Sequence, residues 1–194
     1  MLTYYWVIKM NVYDFDDTIY RGDSTSDFIK WCVKKKPSLA LHHTKTGICF
    51  CAYKAKLVDK TYFKEKMYGF LQHIPDIDEW VEEFWDQHIR NIKSWYLNHK
   101  KPDDVIISAS PEFLLKPVCE RLGIKNLMAS KVDKHTGFYL GINCFGAKKV
   151  HRFMEIFNDN IDEFYSDSLS DAPLAKLAEK AYLVKDDILI PWKV

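Results

Sequence analysis

The chain has 194 residues, 47% of them hydrophobic and 28% charged, with only 7 Gly and 7 Pro. That balance suits one main folded domain with a small appended one, and argues against disordered or collagen-like chains. A formal net charge of +1 provides no overall field to draw the protein to nucleic acid or to an acidic membrane surface.

Five cysteines, an odd number without CxxC spacing or paired His ligands, argue against zinc and for reduced thiols, hence a cytoplasmic location. No apolar run reaches the roughly 18 to 20 residues that span a bilayer. The periodic part of the chain begins at Met10; residues 1–9, MLTYYWVIK, lack a cleavage-type segment and leave open whether the chain starts upstream of its native beginning.

In chain order, MNVYDFD (10–16) reads as a first strand, followed by a crowd of acids: Asp14, Asp16, Asp17 and Asp23. Residues 24–98 carry no convincing strand. Ile77, Trp80, Val81, Phe84, Trp85, His88, Ile89, Ile92 and Trp95 recur at helical three-and-four spacing, so the stretch reads as a helical subdomain with His88 packed in its stripe. His42 and His43, adjacent in sequence, lack the spacing of a helical metal pair and receive no role. Lys34 to Lys36 and Lys100 with Lys101 read as basic ends of helices, where the dipole favours cations.

The back half alternates strands and helices. Strands are predicted at 104–110, 126–132, 161–168 and 181–184, as in a parallel sheet covered on both faces. After DVIISAS, Ser110 is predicted to cap a helix with Pro111 at its first position, Glu112 in its first turn and Gly123 as its stop. Lys134 to Gly137 reads as a turn, with a hairpin running into Phe138, Tyr139 and Leu140.

In such a sheet, ligands bind beyond the carboxyl ends of the strands. Asp14 and Asp16, Ser108 and Ser110, and Asp167 with Asp171 are thereby expected on one edge. Carboxylates gathered from distant positions repel one another unless a cation lies between them, and oxygen-only ligands favour Mg2+ over softer metals. A calcium loop starting at Asp14 fails, because its sixth residue is Ile19 and its twelfth Thr25. Two residues apart on a strand end, Asp14 and Asp16 project to one side, so one carboxylate can attack while the other moves a proton. Ser108 and the backbone N–H groups of Ala109 and Ser110 offer a phosphate site, and Lys148 or Lys149 a balancing cation.

DFDDT, IISAS, GAKK and YSDSLSD, in this order, resemble the four motifs of the haloacid dehalogenase-like hydrolase superfamily. The insert between the first and second motifs resembles the cap of its phosphoserine phosphatase-like branch. The resemblance implies a doubly wound parallel α/β sheet (1–22 and 99–194) with an inserted all-helical cap (23–98). It implies a Mg2+-dependent phosphatase working on a small phosphomonoester, phosphoserine being one candidate, through a phospho-aspartate. By the same resemblance Asp14 is the nucleophile and a metal ligand, and Asp16 the general acid/base that offers its carbonyl to the metal. Thr18 braces the loop, and Ser108, Ala109 and a lysine hold the phosphate. Lys149 is preferred for that lysine because Cys144, Gly146, Lys149 and Val150 match C-x-G-x-x-K-V. Asp167 ligates the metal, and Asp171 holds a metal-bound water or the lysine. Asp17 and Ser166 stand where glycine is frequent. Asp23 either reads a substrate amine or caps the first cap helix.

Two alternatives stand beside this reading. One is a lipid phosphatase at a membrane surface, suggested by apolar residues and lysines in 39–57, although buried cap core is the expected explanation of that segment. The other is a non-catalytic phosphate-binding protein.

Overall fold

The computed structural model describes residues 10–157 and 161–193; the lead-in 1–9 lies outside the described residues. A six-stranded sheet in the order β3-β2-β1-β4-β5-β6 organises the fold. Its strands are β1 (Asn11–Tyr13), β2 (Val105–Pro111), β3 (Asn126–Ser130), β4 (Ile161–Ser166), β5 (Ala178–Lys185) and β6 (Ile188–Pro191). All neighbours are parallel except β5 with β6.

β1 lies between β2 and β4, with Val12 opposite Val105 on one side and Phe164 on the other. A strand paired on both edges and covered on both faces has no solvent side, and all three residues of β1 are buried. Alternate residues feed opposite layers. Tyr13, Ile106 and Tyr165 enter one core with α6 (Glu112–Leu122), while Val12, Val105 and Phe164 enter the other with α7 (Ala147–Ile156) and α8 (Ala172–Ala175). The expected doubly wound α/β sheet is therefore present, with a helical cap inserted between β1 and β2.

The cap begins with α1 (Ser24–Lys35), α2 (Ala40–Lys54) and α3 (Lys60–Tyr68). Lys34 and Lys35 fall in the last turn of α1, as their charge predicts. The aromatic stripe is divided between α4 (Ile77–His88), a short 3-10 turn and α5 (Ser94–His99). Trp85 of α4 donates its indole N–H to the Leu114 carbonyl (2.7 Å), and His88 stacks on Phe84 with its ring Nδ1 2.9 Å from the Phe84 carbonyl. Trp95 and Tyr96 of α5 pack on Tyr13, and Trp95 on Tyr165. Residues 23–98 thus include two helices that rest on the core.

Several local expectations change. β1 ends at Tyr13, not Asp16, because the chain turns: the N–H groups of Ile19 and Tyr20 both donate to the Phe15 carbonyl. Ser110 does not cap α6. It lies in β2, Pro111 occupies the cap position, and the Ser110 hydroxyl is committed to Asp16. Gly123 does end α6, at φ +73°. Val132 pairs with Tyr139 across the turn at Asp133 to Gly137, the predicted hairpin reduced to one bridge. β6 was not predicted; it returns through Asp186 at φ +54°. Segment 39–57 is only partly buried: Leu39 is enclosed, but Leu41, Ile48 and Leu57 are more than 70% exposed.

Candidate active site

The turn after β1 places its carboxylates by backbone geometry. Asp14 continues the ladder by donating its N–H to the Tyr165 carbonyl (2.9 Å). Asp17 takes φ +52°, a conformation that glycine reaches freely and Asp tolerates when its side chain bonds locally. Here Asp17 Oδ1 accepts the Gly22 N–H (3.0 Å), so the residue in the glycine position supplies its own brace.

Asp14 Oδ1 lies 2.8 Å from Lys149 Nζ and accepts the Phe15 N–H at 2.9 Å. Burial pushes the Asp14 carboxyl up, while Lys149 pulls it back. Lys149 sits in the first turn of α7, which opens at Gly146 with φ +58°. Its ammonium is buried and also bonds Asp171 (2.7 Å). Burial alone works against that charge, but Asp14 and Asp171 outweigh it and hold Lys149 protonated. Lys148 is exposed, whereas Lys149 is the one buried against Asp14. Asp171 is held to this lysine and to the Ser166 hydroxyl (2.9 Å), and its Oδ1 is buried with no hydrogen-bond partner among the described residues. Ser166, in the second glycine position, thus supports Asp171.

Asp16 has other company. Its Oδ1 accepts the Ser24 N–H (2.7 Å) and its Oδ2 the Ser110 hydroxyl (2.5 Å). Burial, reinforced by Asp23, raises its pKa to about 7, the range suited to both giving and taking a proton near neutrality.

Asp167 follows β4. Its N–H donates to the buried Thr18 hydroxyl (2.9 Å), so Thr18 ties the first loop to the fourth. Burial, then the charges of Asp14 and Asp17, raise the Asp167 carboxyl to about 6. Ser108 is buried in β2, and its Oγ accepts the Ser110 N–H (3.1 Å), which takes that N–H out of the expected phosphate site. The Ala109 carbonyl is bonded by Lys64 and Ser130.

Asp14, Asp16, Asp167, Asp171, Ser108, Ala109, Lys149 and Asp23 all line one cavity of about 450 Å³. Asp23 also caps α1 through the Ser26 N–H (2.7 Å). Sequence reasoning missed the opposite wall: Phe50, Tyr53, Lys60, Phe63, Lys64 and Met67 from α2 and α3, with Phe145. The signal was present, since Lys60, Phe63, Lys64 and Met67 share one helical face.

The residues present fit a hard divalent cation. The Asp14 charge raises the pKa of Asp167, both carboxylates line the one cavity, the donors are all oxygen, and Lys149 is already engaged by Asp14 and Asp171. Among the described residues no three His, Cys, Asp or Glu side chains cluster to hold an ion. Mg2+ does not need such a cage, because it keeps several waters and is commonly bound by one or two carboxylates with substrate phosphate.

This fold and this carboxylate-lysine edge define a hydrolase class. The haloacid dehalogenase-like hydrolase family matches residues 12–176, and the chain belongs to that family. The histidinol-phosphatase of Neisseria meningitidis serogroup C (strain 8013) is 23% identical, across 92% of this chain and 91% of that one. Among solved structures, a protein with unknown function from Bordetella pertussis Tohama I shares the fold at TM-score 0.74 and 19% identity, covering 90% of this chain and 89% of the other. A phosphoserine phosphohydrolase-like protein from Francisella tularensis subsp. tularensis SCHU S4 does so at TM-score 0.58 and 14% identity, covering 93% and 89%.

Proposed function

We propose that the protein is a Mg2+-dependent phosphatase for a small phosphomonoester, working in the cytoplasm. The observation that carries this is the pairing at the end of β1: Asp14 held by the buried Lys149, and Asp16 beside it with a pKa near 7 in the same cavity.

In this reading an Asp14 carboxylate oxygen attacks phosphorus, the ester P–O bond breaks, and the leaving oxygen takes its proton from Asp16. The resulting aspartyl phosphate is hydrolysed by a water whose proton passes to Asp16, which restores both carboxyl groups. Ser108, the Ala109 N–H and Lys149 bind the phosphoryl oxygens. Asp14, Asp167 and the Asp16 carbonyl would hold Mg2+, and Asp171 orients Lys149. Bound Mg2+ supplies charge screening between Asp14 and the anionic substrate.

Hydrolysis of p-nitrophenyl phosphate with Mg2+, with EDTA, and by Asp14→Asn tests the assignment. Equal rates for parent and variant would remove Asp14 from the chemistry, and phosphate binding without turnover would favour a binding protein. A panel with phosphoserine and histidinol phosphate addresses the substrate. Asp23→Asn keeps a capping side chain but removes the charge, so a preference for amine-bearing esters that it abolishes assigns Asp23 to substrate recognition.

One observation favours a second reading, a lipid phosphate at a membrane surface. The solvent side of α2 presents Leu41, Thr44, Gly47, Ile48 and Cys51, all uncharged and exposed. No helix among the described residues is long and apolar enough to cross a membrane, so such binding would be peripheral. Turnover confined to detergent-dispersed lipid phosphate would select this reading.

A further inference from the structure

The phosphate-handling groups all stand on the core side of the cavity, yet two more cations enter from the cap. Lys60 and Lys64 of α3 line it beside Phe63 and Met67, and α2 adds Phe50 and Tyr53. No carboxylate of α2 or α3 lines this wall; Glu65 turns aside to accept the Tyr139 N–H (3.1 Å). Asp23, from the start of α1, acts on both lysines, with part of its carboxylate engaged in the cap of that helix; Asp171 also acts on Lys60 and Asp16 on Lys64.

The lysines are held in place with donors to spare. Lys64 Nζ donates to the Ala109 carbonyl (3.1 Å), and an ammonium has three donors. Lys60 Nζ stands 3.3 Å from the centroid of the Phe145 ring and has no side-chain hydrogen bond among the described residues. Burial lowers the pKa of both; Lys64, with Lys60 adding to the effect, falls to about 8. For both lysines, burial and neighbouring cations outweigh the carboxylates of Asp16, Asp23 and Asp171, so a further anion between them is favoured. Around them the rings form a shelf: Phe63 stacks on Tyr53 at 5.4 Å and meets Phe50 at 5.5 Å.

Building on the phosphatase reading, we infer that the substrate's leaving group is a flat or apolar body bearing a second negative charge. The body lodges among Phe50, Tyr53, Phe63 and Phe145, and the charge sits between Lys60 and Lys64.

The test compares kcat/KM for phenyl phosphate and 4-carboxyphenyl phosphate with Mg2+. It is paired with calorimetry of two non-hydrolysable probes, benzylphosphonate and 4-carboxybenzylphosphonate. The carboxylated ester should be preferred by about tenfold or more, the value of one charge-assisted contact. The preference should collapse in Lys60→Met/Lys64→Met and persist in Lys66→Met, whose ammonium lies over Tyr62 away from the cavity. Parity between the esters, or a preference that survives the double variant, overturns the inference. So does a stronger preference for 4-(aminomethyl)phenyl phosphate, which would hand selection to Asp23. If no ester is hydrolysed but the carboxylated phosphonate binds more tightly, the anion site stands and the phosphatase reading falls. Hydrolysis with equal binding of both phosphonates has the opposite meaning.

Discussion

Asp14 and Asp16 are separated by one residue, but their partners differ: a buried ammonium for the first, a hydroxyl and a backbone N–H for the second. Burial raises both carboxyls; Lys149 draws Asp14 back toward the ionised form that the proposed nucleophile needs, while Asp16, at about 7, can hold the proton that the proposed acid needs. Asp14→Asn should therefore lose more than about 10,000-fold in kcat, as removal of other nucleophiles does. Asp16→Asn should slow alkyl phosphates far more than p-nitrophenyl phosphate, whose leaving group needs little protonation; equal losses would deny Asp16 the acid role. Asp104, directly before β2, bears on stability. Burial raises its carboxyl to about 6, and among the described residues only its Oδ2 is bonded, by the Lys101 N–H. A pKa higher in the fold than in the unfolded chain means stability that is present below about pH 4 and lost as pH rises through 6. Asp104→Asn should then raise the urea midpoint over the parent at pH 7.5 and bring little gain at pH 4.

At the scale of elements, the fold was legible wherever local chemistry acted alone. The apolar runs of β2, β3 and β4 announced buried strands, and Gly123 stopped α6 through its left-handed backbone. Legibility failed where a distant partner intervened. Ser110 looks like a helix cap until Asp16 claims its hydroxyl, and β6 hides because Asp186-Asp187 lacks the glycine that usually marks a tight hairpin. Gly137 tests such long-range control. It has φ +80°, and a Cβ there would lie 2.6 Å from the Tyr68 carbonyl oxygen at the end of α3. Gly137→Ala should cost more than about 1 kcal/mol in denaturant unfolding, beyond the usual effect of a tolerated Gly→Ala change. An unchanged midpoint would show that α3 and the hairpin shift apart freely.

Across the whole molecule, contacts join the cap helices to the sheet side: Thr25 with Ser110 (3.0 Å), Lys64 with Ala109, Glu65 with Tyr139, and Lys134 with Asp78. Because the carboxylates converge only in the folded chain, a cation they bind stabilises the fold by mass action, by about 2.7 kcal/mol at a hundred times its Kd. Millimolar Mg2+ should raise the melting temperature of the parent and not that of Asp14→Asn/Asp167→Asn. An equal shift in both would place the ion elsewhere.

From the sequence alone came the strand-ending carboxylates, the order of the four motifs and the helical character of the insert, because charge, periodicity and glycine act over a few residues. The tertiary structure decided which lysine is buried against Asp14, which serine serves Asp16, and where Asp171 turns. It also brought Lys60 and Lys64, among the rings of the cap, into the same cavity as those carboxylates. Those choices depend on which distant side chains share one low-dielectric space, and only the packing of the cap on the sheet creates that space.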